Sequence, residues 1–430
     1  MTTPVVQVYV DLRGAPHFVG HLYVLASKGC QGATLRYADS WLRNPERYAL
    51  EPGLTLGAGP HHTAEGRALF GAIGDSAPDR WGRTLIARAE RLRAKAEDRT
   101  PRTLLEIDYL LGVLDEARSG ALRFRLTEGG PFLAVGGASH VPPLMQLRAL
   151  LDAAARAEDD SILDEDMRLL LAPGSSLGGA RPKASVRDGD GTLSVAKLPA
   201  IHDTYNAVRW EGVALAIAHR AGVVTPKWRL ERVGDREVLI TARFDRDGQT
   251  RIPFLSAMSM LGATDRDVRS YLEIADALRQ HGAATGTDLP QLWRRLVLNV
   301  LVSNTDDHLR NHGFLYAGTA GWRLAPAYDL NPVPTDVKPR VLATAIGPDE
   351  DLTASLELAL SVAADFDLRP ENARQVAAEV GAAVARWRTE GERFGAGRAE
   401  LDRMASAFEH DDLRLALGTQ AGRPAKKTAR

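Results

Sequence analysis

Hydrophobic positions change their period several times along this chain. Val6, Val8 and Val10 alternate with other residues, a turn follows at Gly14, and 18–25 alternates again. A period of two puts every second side chain on one face, so residues 5 to about 60 are predicted to be strands. From Thr63 to about Ala117 apolar positions fall three and four apart, notably in 80–86 and 103–114, which predicts helices. Residues 128–143 are rich in Gly and Pro and read as a linker.

Beyond the linker, a helical segment over about 144–172 precedes strand-like pieces at 183–186, 193–198 and 237–241. A helix over about 205–221 separates the last two. From Ser256 onward almost everything has helical spacing. The best-marked helix opens with Asp288, Leu289, Pro290 and Gln291, an N-cap acid, an early proline and a reciprocal glutamine. Leu292, Trp293, Leu296, Val297, Val300 and Leu301 then line one face, a core stripe rather than a binding surface.

Candidate chemistry lies just past that helix. Asn304, Thr305, Asp306, Asp307, His308, Leu309, Arg310 and Asn311 lead into a predicted hairpin, 313–316 and 322–325, with a glycine-bearing turn between; Ala327, Tyr328 and Asp329 follow. A hairpin brings its ends together, so Asn311 and Asp329 are expected side by side as oxygen ligands suited to magnesium. Asp306, just ahead, is placed to accept a proton from an attacking hydroxyl. That is the layout of a kinase catalytic loop and its metal-binding aspartate. Asp and Asn also cap helices and turns, which is the competing explanation. A metal site from His308, His312 and Asp306 needs helical spacing that the hairpin interrupts.

Four further features stand where such a site needs them. The loop 174–180 holds three glycines, which let backbone N–H groups approach phosphate, although an ordinary turn has the same composition. Lys197, late in an apolar strand, could neutralise phosphates or lie on an exposed edge. Glu211 is read as opening the next helix, where it could pair with Lys197 or favour the helix terminus. The strand 238–240 runs into Ala242, Arg243 and Phe244, a hinge whose backbone could meet an adenine edge. Their order predicts an α+β, two-lobed protein-kinase-like fold. An N-terminal domain (1–127) and the linker (128–143) precede the strand-bearing lobe (144–250), an all-helical C-terminal lobe (251–420) and a basic, disordered tail (421–430).

Composition narrows the setting. A chain of 430 residues holds two or three domains, and its formal charge of −1 gives no global reason for tight nucleic-acid binding. One cysteine, Cys30, excludes an internal disulfide and a cysteine metal cluster. No apolar run approaches a membrane span, and the first residues lack a basic segment followed by an apolar one, so a cytoplasmic protein with no membrane partner is expected. The Arg-rich stretch 88–99 is interspersed with Glu90, Glu97 and Asp98 and reads as a solvated helix face.

The motifs at 174–183, 195–199, 242–246, 304–311 and 324–330 resemble the HipA family, serine/threonine protein kinases that act as toxins in bacterial type II toxin–antitoxin systems. The segment Asp75, Ser76, Ala77, Pro78, Asp79, Arg80, Trp81, Gly82, Arg83 is similar to the domain that precedes the kinase core in that family. The resemblance implies ATP and Mg²⁺ as cofactors, with Asp306 as catalytic base and Asn311 and Asp329 as metal ligands. It implies nucleotide contacts from Gly178, Gly179, Ala180, Arg181, Pro182, Lys183 and Lys197, from the hinge Ala242, Arg243 and Phe244, and from His308, Leu309, Arg310, Asn311, Tyr328 and Asp329. Ser176 matches the serine that family members autophosphorylate, with Ser175 beside it. Arg181 and Pro182 stand where an amide and an acid are frequent, and Arg310 replaces a lysine.

The expected function is therefore growth arrest by phosphorylation of a cellular protein, typically of the translation machinery, with self-inactivation through the Gly-rich loop. The implied partners are a protein substrate and a helix-turn-helix antitoxin encoded nearby. The chain shows no clear DNA-reading helix, so operator DNA is expected only through that antitoxin. A small-molecule phosphotransferase and a nucleotide-binding, non-catalytic co-repressor are the alternatives.

Overall fold

The computed structural model describes residues 5–27, 30–133, 141–159, 161–171 and 181–418. The chain divides into two compact units, one of Met1–Val208, Pro226–Asp265 and Arg310–Ala325, the other of Arg209–Thr225, Arg266–Leu309 and Pro326–Arg430. Helix and sheet are mixed, as in a kinase-like α+β fold.

In the first unit, β1 (Val5–Leu12), β2 (Ala15–Ser27), β3 (Cys30–Tyr37), β4 (Pro60–His62) and β5 (Leu122–Arg125) form an antiparallel sheet in the order β4-β3-β2-β1-β5. The even positions Val6, Val8 and Val10 are fully buried, as the period of two requires. The predicted run of strands to residue 60 stops at Tyr37. The chain beyond it makes one helical turn, Asp39–Leu42, that buries Trp41, and an irregular stretch whose Tyr48, Leu50 and Leu54 are buried. Burial there follows no period, so alternation could not find it. β5 went unpredicted, being four residues long.

A second sheet has the order β6-β7-β9-β8, from β6 (Lys183–Arg187), β7 (Leu193–Lys197), β8 (Trp228–Val233) and β9 (Arg236–Ala242). Ala184, Val186, Ala196, Val238 and Ile240 pack in one core with the helices Arg80–Ala96, Leu147–Glu158 and Asp164–Leu171. Trp81, Leu85 and Ile86 thus tie the amino-terminal helix to the strands that carry Lys183 and Lys197. The unpredicted β8 is an edge strand carrying Arg229, Glu231 and Arg232, and charge on an edge hides its strand character.

β10 (Arg246–Asp247) and β11 (Thr250–Arg251) pair alone. The expected hairpin is present as β13 (Gly313–Tyr316) and β14 (Trp322–Leu324), with β12 (Phe254–Ser256) added along β13. A Cβ on Gly313 would come 2.3 Å from the Phe254 ring, so glycine permits this close crossing. The lobe expected to be all helical therefore contributes this sheet's three strands, and 325–355 carries no helix.

The second unit is helical, with Tyr271–His281 and Thr285–Leu301 at its core. The latter begins one turn before the predicted Asp288 start, leaving Pro290 inside the helix. The carbonyl that loses its partner to proline belongs to Gly286, which is exposed and can bond water, so the helix tolerates it. Glu211 lies in the second turn of Ala207–Arg220 instead of opening it, and is buried. Among the described residues no helix is long and apolar enough to cross a membrane.

Candidate active site

The segment after Thr285–Leu301 separates two neighbouring acids: Asp306 is exposed and Asp307 buried. Ser303 turns the chain with φ +51°, while its hydroxyl donates to the Ala407 carbonyl (2.8 Å) and accepts from Arg340 Nε (3.0 Å). Arg340 also reaches the Val300 carbonyl at the helix end (3.0 Å), where a cation offsets the terminal dipole. Lys338 Nζ donates to the Thr305 carbonyl (2.8 Å).

Asn304 joins the loop to the predicted metal ligand. Its backbone N–H donates to the Asn299 carbonyl (2.9 Å), and Nδ2 donates to Asn299 Oδ1 (3.2 Å) and to the Asp329 carbonyl (3.4 Å). Asn331 Nδ2 donates to that same carbonyl (3.3 Å). Asp329 is held at φ +55°, a left-handed conformation uncommon outside glycine. Two amide side chains on its carbonyl hold the backbone in this conformation.

Behind the loop, Asp307 accepts a hydrogen bond from Tyr271 Oη, which in turn accepts from Asn299 Nδ2 (2.9 Å). Thr344 Oγ1 donates to the Asp307 carbonyl (2.7 Å). Burial, then the Asp307 charge, pushes the Tyr271 phenol well above its ordinary range, so it stays protonated and donates. Burial lowers the nearby Arg295 guanidinium, against the opposing pull of Tyr271 and Asp307. These groups hold Asp307, the residue next to Asp306. Tyr271, Asn299, Arg295 and Arg340 were not singled out from sequence, because a buried tyrosine in an amphipathic helix resembles any core residue.

In the first unit, Lys183 and Lys197 are direct cross-strand partners on β6 and β7. Lys183 is 3% exposed and its ammonium lies 2.6 Å from Asp79 Oδ2. Pro182 is buried, and its carbonyl accepts from the Leu198 N–H (2.9 Å). The Arg181 side chain pairs with Asp203 (2.7 Å). At the hinge the backbone N–H groups of Ala242 and Arg243 donate to Lys227 (2.8 Å) and Leu193 (3.0 Å). The buried Arg243 guanidinium grips Asp245 (2.7 and 2.5 Å) and the Ala117 and Arg118 carbonyls. With its guanidinium and N–H both engaged, Arg243 keeps only its carbonyl for the role expected of it. Phe244 packs obliquely on Phe254.

Arg310 is exposed and paired with Asp265, whereas Asn311 is buried. Leu309 is buried and Tyr328 partly so. Ser175, Ser176, Gly178, Gly179 and Ala180 lie outside the described residues. Asn304 Oδ1, Thr305 Oγ1 and His308 Nδ1 are buried with no hydrogen-bond partner in the protein. Orphaned polar atoms clustered along one loop fit a ligand-binding segment better than a capping one. Among the described residues no group of three His, Cys, Asp or Glu side chains could hold a metal alone, which sets aside the histidine site.

Residues 175–387 match the model of the HipA-like C-terminal domain family. A Haemophilus influenzae protein whose kinase name is provisional is 28% identical over 130 residues, 27% of this chain and 38% of that protein's length. The chain thus spans well under half of that relative. A solved Shewanella oneidensis structure of HipA with HipB and its operator DNA is similar over 96% of each chain, with a TM-score of 0.61 and 14% identity, a likeness of fold. The Helicobacter pylori proinflammatory kinase CtkA aligns over 55% of this chain and 93% of its own at a TM-score of 0.36 and 14% identity, too distant to bear on the fold.

Proposed function

The chain belongs to the HipA family through its C-terminal domain, and we propose that it is an ATP-dependent serine/threonine protein kinase acting as the toxin of a type II toxin–antitoxin pair. The observation that carries this reading is the split between Asp306 and Asp307, one acid presented to solvent and the next locked inside by Tyr271 and Thr344. A carboxylate held outward on a rigid loop is what abstraction of a hydroxyl proton requires.

In this reading Asp306 takes the proton of the acceptor hydroxyl as its oxygen attacks the γ-phosphorus of ATP, whose bond to the β–γ bridging oxygen breaks so that ADP leaves. Asn311 and Asp329 hold magnesium, which when bound offsets phosphate charge. Lys197 and the loop 178–183 meet the phosphates, Ala242, Arg243 and Phe244 meet the base through backbone and ring, and His308, Leu309, Arg310 and Tyr328 complete the nucleotide's surroundings. Glu211 is the candidate ion-pair partner of Lys197. Phosphorylation of Ser176 adds nearly two negative charges beside ATP and switches the enzyme off. A HipB-like helix-turn-helix antitoxin is the partner, and operator DNA is reached through it.

The test is transfer of labelled γ-phosphate to protein and small-molecule acceptors, with Asp306→Asn as control. Transfer to serine or threonine of a protein is expected, falling about 10²-fold or more in the variant. Mass spectrometry of the same mixture should find phosphate at Ser176, with Ser175 as the fallback. Transfer only to small molecules would favour an antibiotic-kinase-like enzyme; none at all would leave a nucleotide-binding co-repressor.

A further inference from the structure

Asp79 lies well outside the matched HipA-like C-terminal domain, yet its carboxylate binds at least two groups among the described residues. Oδ1 accepts from the Gly82 N–H (2.7 Å) and caps the helix Arg80–Ala96. Oδ2 accepts from Lys183 Nζ (2.6 Å), the two side chains being 6% and 3% exposed. Two residues on, Trp81 Nε1 donates to the Lys183 carbonyl (3.1 Å). One turn of the amino-terminal helix thus holds Lys183 by both its charge and its backbone.

Lys183 also faces Lys197 across the β6–β7 pair. Like charges directly opposite on a sheet repel, and a buried ammonium without a counter-ion is costly. Asp79 removes both difficulties at once, so the pair can coexist at the end of the strands where phosphates are expected.

We propose that Asp79 is a positioning residue for the phosphate end of the nucleotide site, acting through Lys183 and resting on the kinase reading above. The amino-terminal segment is then part of the nucleotide site's construction, and damage to it is felt as lost ATP affinity.

The experiment measures Mg·ATP affinity by calorimetry, alongside melting temperature, for the full chain and three variants. Asp79→Asn keeps an acceptor for Gly82 and removes the charge. Its Kd for Mg·ATP should rise about tenfold or more, as expected when a binding group is displaced. Asp79→Asn combined with Lys183→Met removes both charges, so the melting temperature should recover while affinity does not. Lys183→Met alone, as a third variant, should match the double variant in Kd because Asp79 acts through Lys183, and a double variant that binds still more weakly would overturn the proposal. Any variant binding Mg·ATP as tightly as the wild type would overturn the proposal and leave the kinase reading intact. A wild-type protein that binds no Mg·ATP would sink both.

Discussion

The hinge at 242–244 and the loop at 304–311 both resemble nucleotide-binding motifs, but they differ in what their side chains are free to do. At the hinge, Arg243 and Arg246 close on Asp245, which also accepts the Gly120 N–H (2.7 Å). Burial alone would push the Asp245 carboxyl up; the two arginines hold it far below the usual range. In the loop, Asp306 is exposed while Asp307 beside it is tied down by Tyr271 and Thr344. On the proposed kinase reading, a hinge of this kind contributes shape and backbone, while the loop contributes the base. Burial tells the two motifs apart.

The largest expected effect lies in the hinge. Asp245→Ala orphans two buried guanidinium groups and should cost about 3–5 kcal/mol of stability, read from the denaturation midpoint. Asp306→Asn should leave that midpoint almost unchanged, since Asp306 is exposed. Equal stability for Asp245→Ala and the wild type would erase the contrast.

A buried acid without an arginine clamp sharpens it. Glu51 accepts the Ala72 N–H (2.6 Å), and burial, with the Asp75 charge adding, lifts its pKa to about 7. A raised carboxyl pKa means that the folded state prefers the proton. Stability from Glu51 is therefore full below about 4.5 and lost as pH rises through about 7. Between pH 5 and 8 this amounts to about 2 kcal/mol, and Glu51→Gln should flatten that slope in thermal melts. An unchanged slope in the variant assigns it to other groups.

The smallest effect tests the loop's backing. Tyr271→Phe keeps the volume and deletes one hydrogen bond to Asp307, costing about 1 kcal/mol. If Asp307 positions Asp306, kcat should fall while the KM for ATP stays put; a change in KM alone would assign Tyr271 to binding.

Much of this was legible from residue order. The hairpin ran where turn chemistry placed it, and spacing singled out Asp306, Asn311 and Asp329 before any coordinates. Local patterns failed wherever tertiary burial decided. Residues 38–59 supply core side chains without periodicity, Pro290 sits inside a helix because Gly286 is exposed, and Glu211 is one turn deeper than its acidity suggested. Asp79 carried a motif but no visible partner, since Lys183 lies 104 residues away.

Asp329 carries one last consequence, for anyone evolving this protein. Its left-handed backbone costs roughly 1 kcal/mol that glycine would not incur. A library screened only for thermal resistance should enrich Asp329→Gly, and the winners would be robust proteins stripped of their proposed metal ligand. On the proposed reading, durability and competence pull in opposite directions at Asp329, so selection must read both.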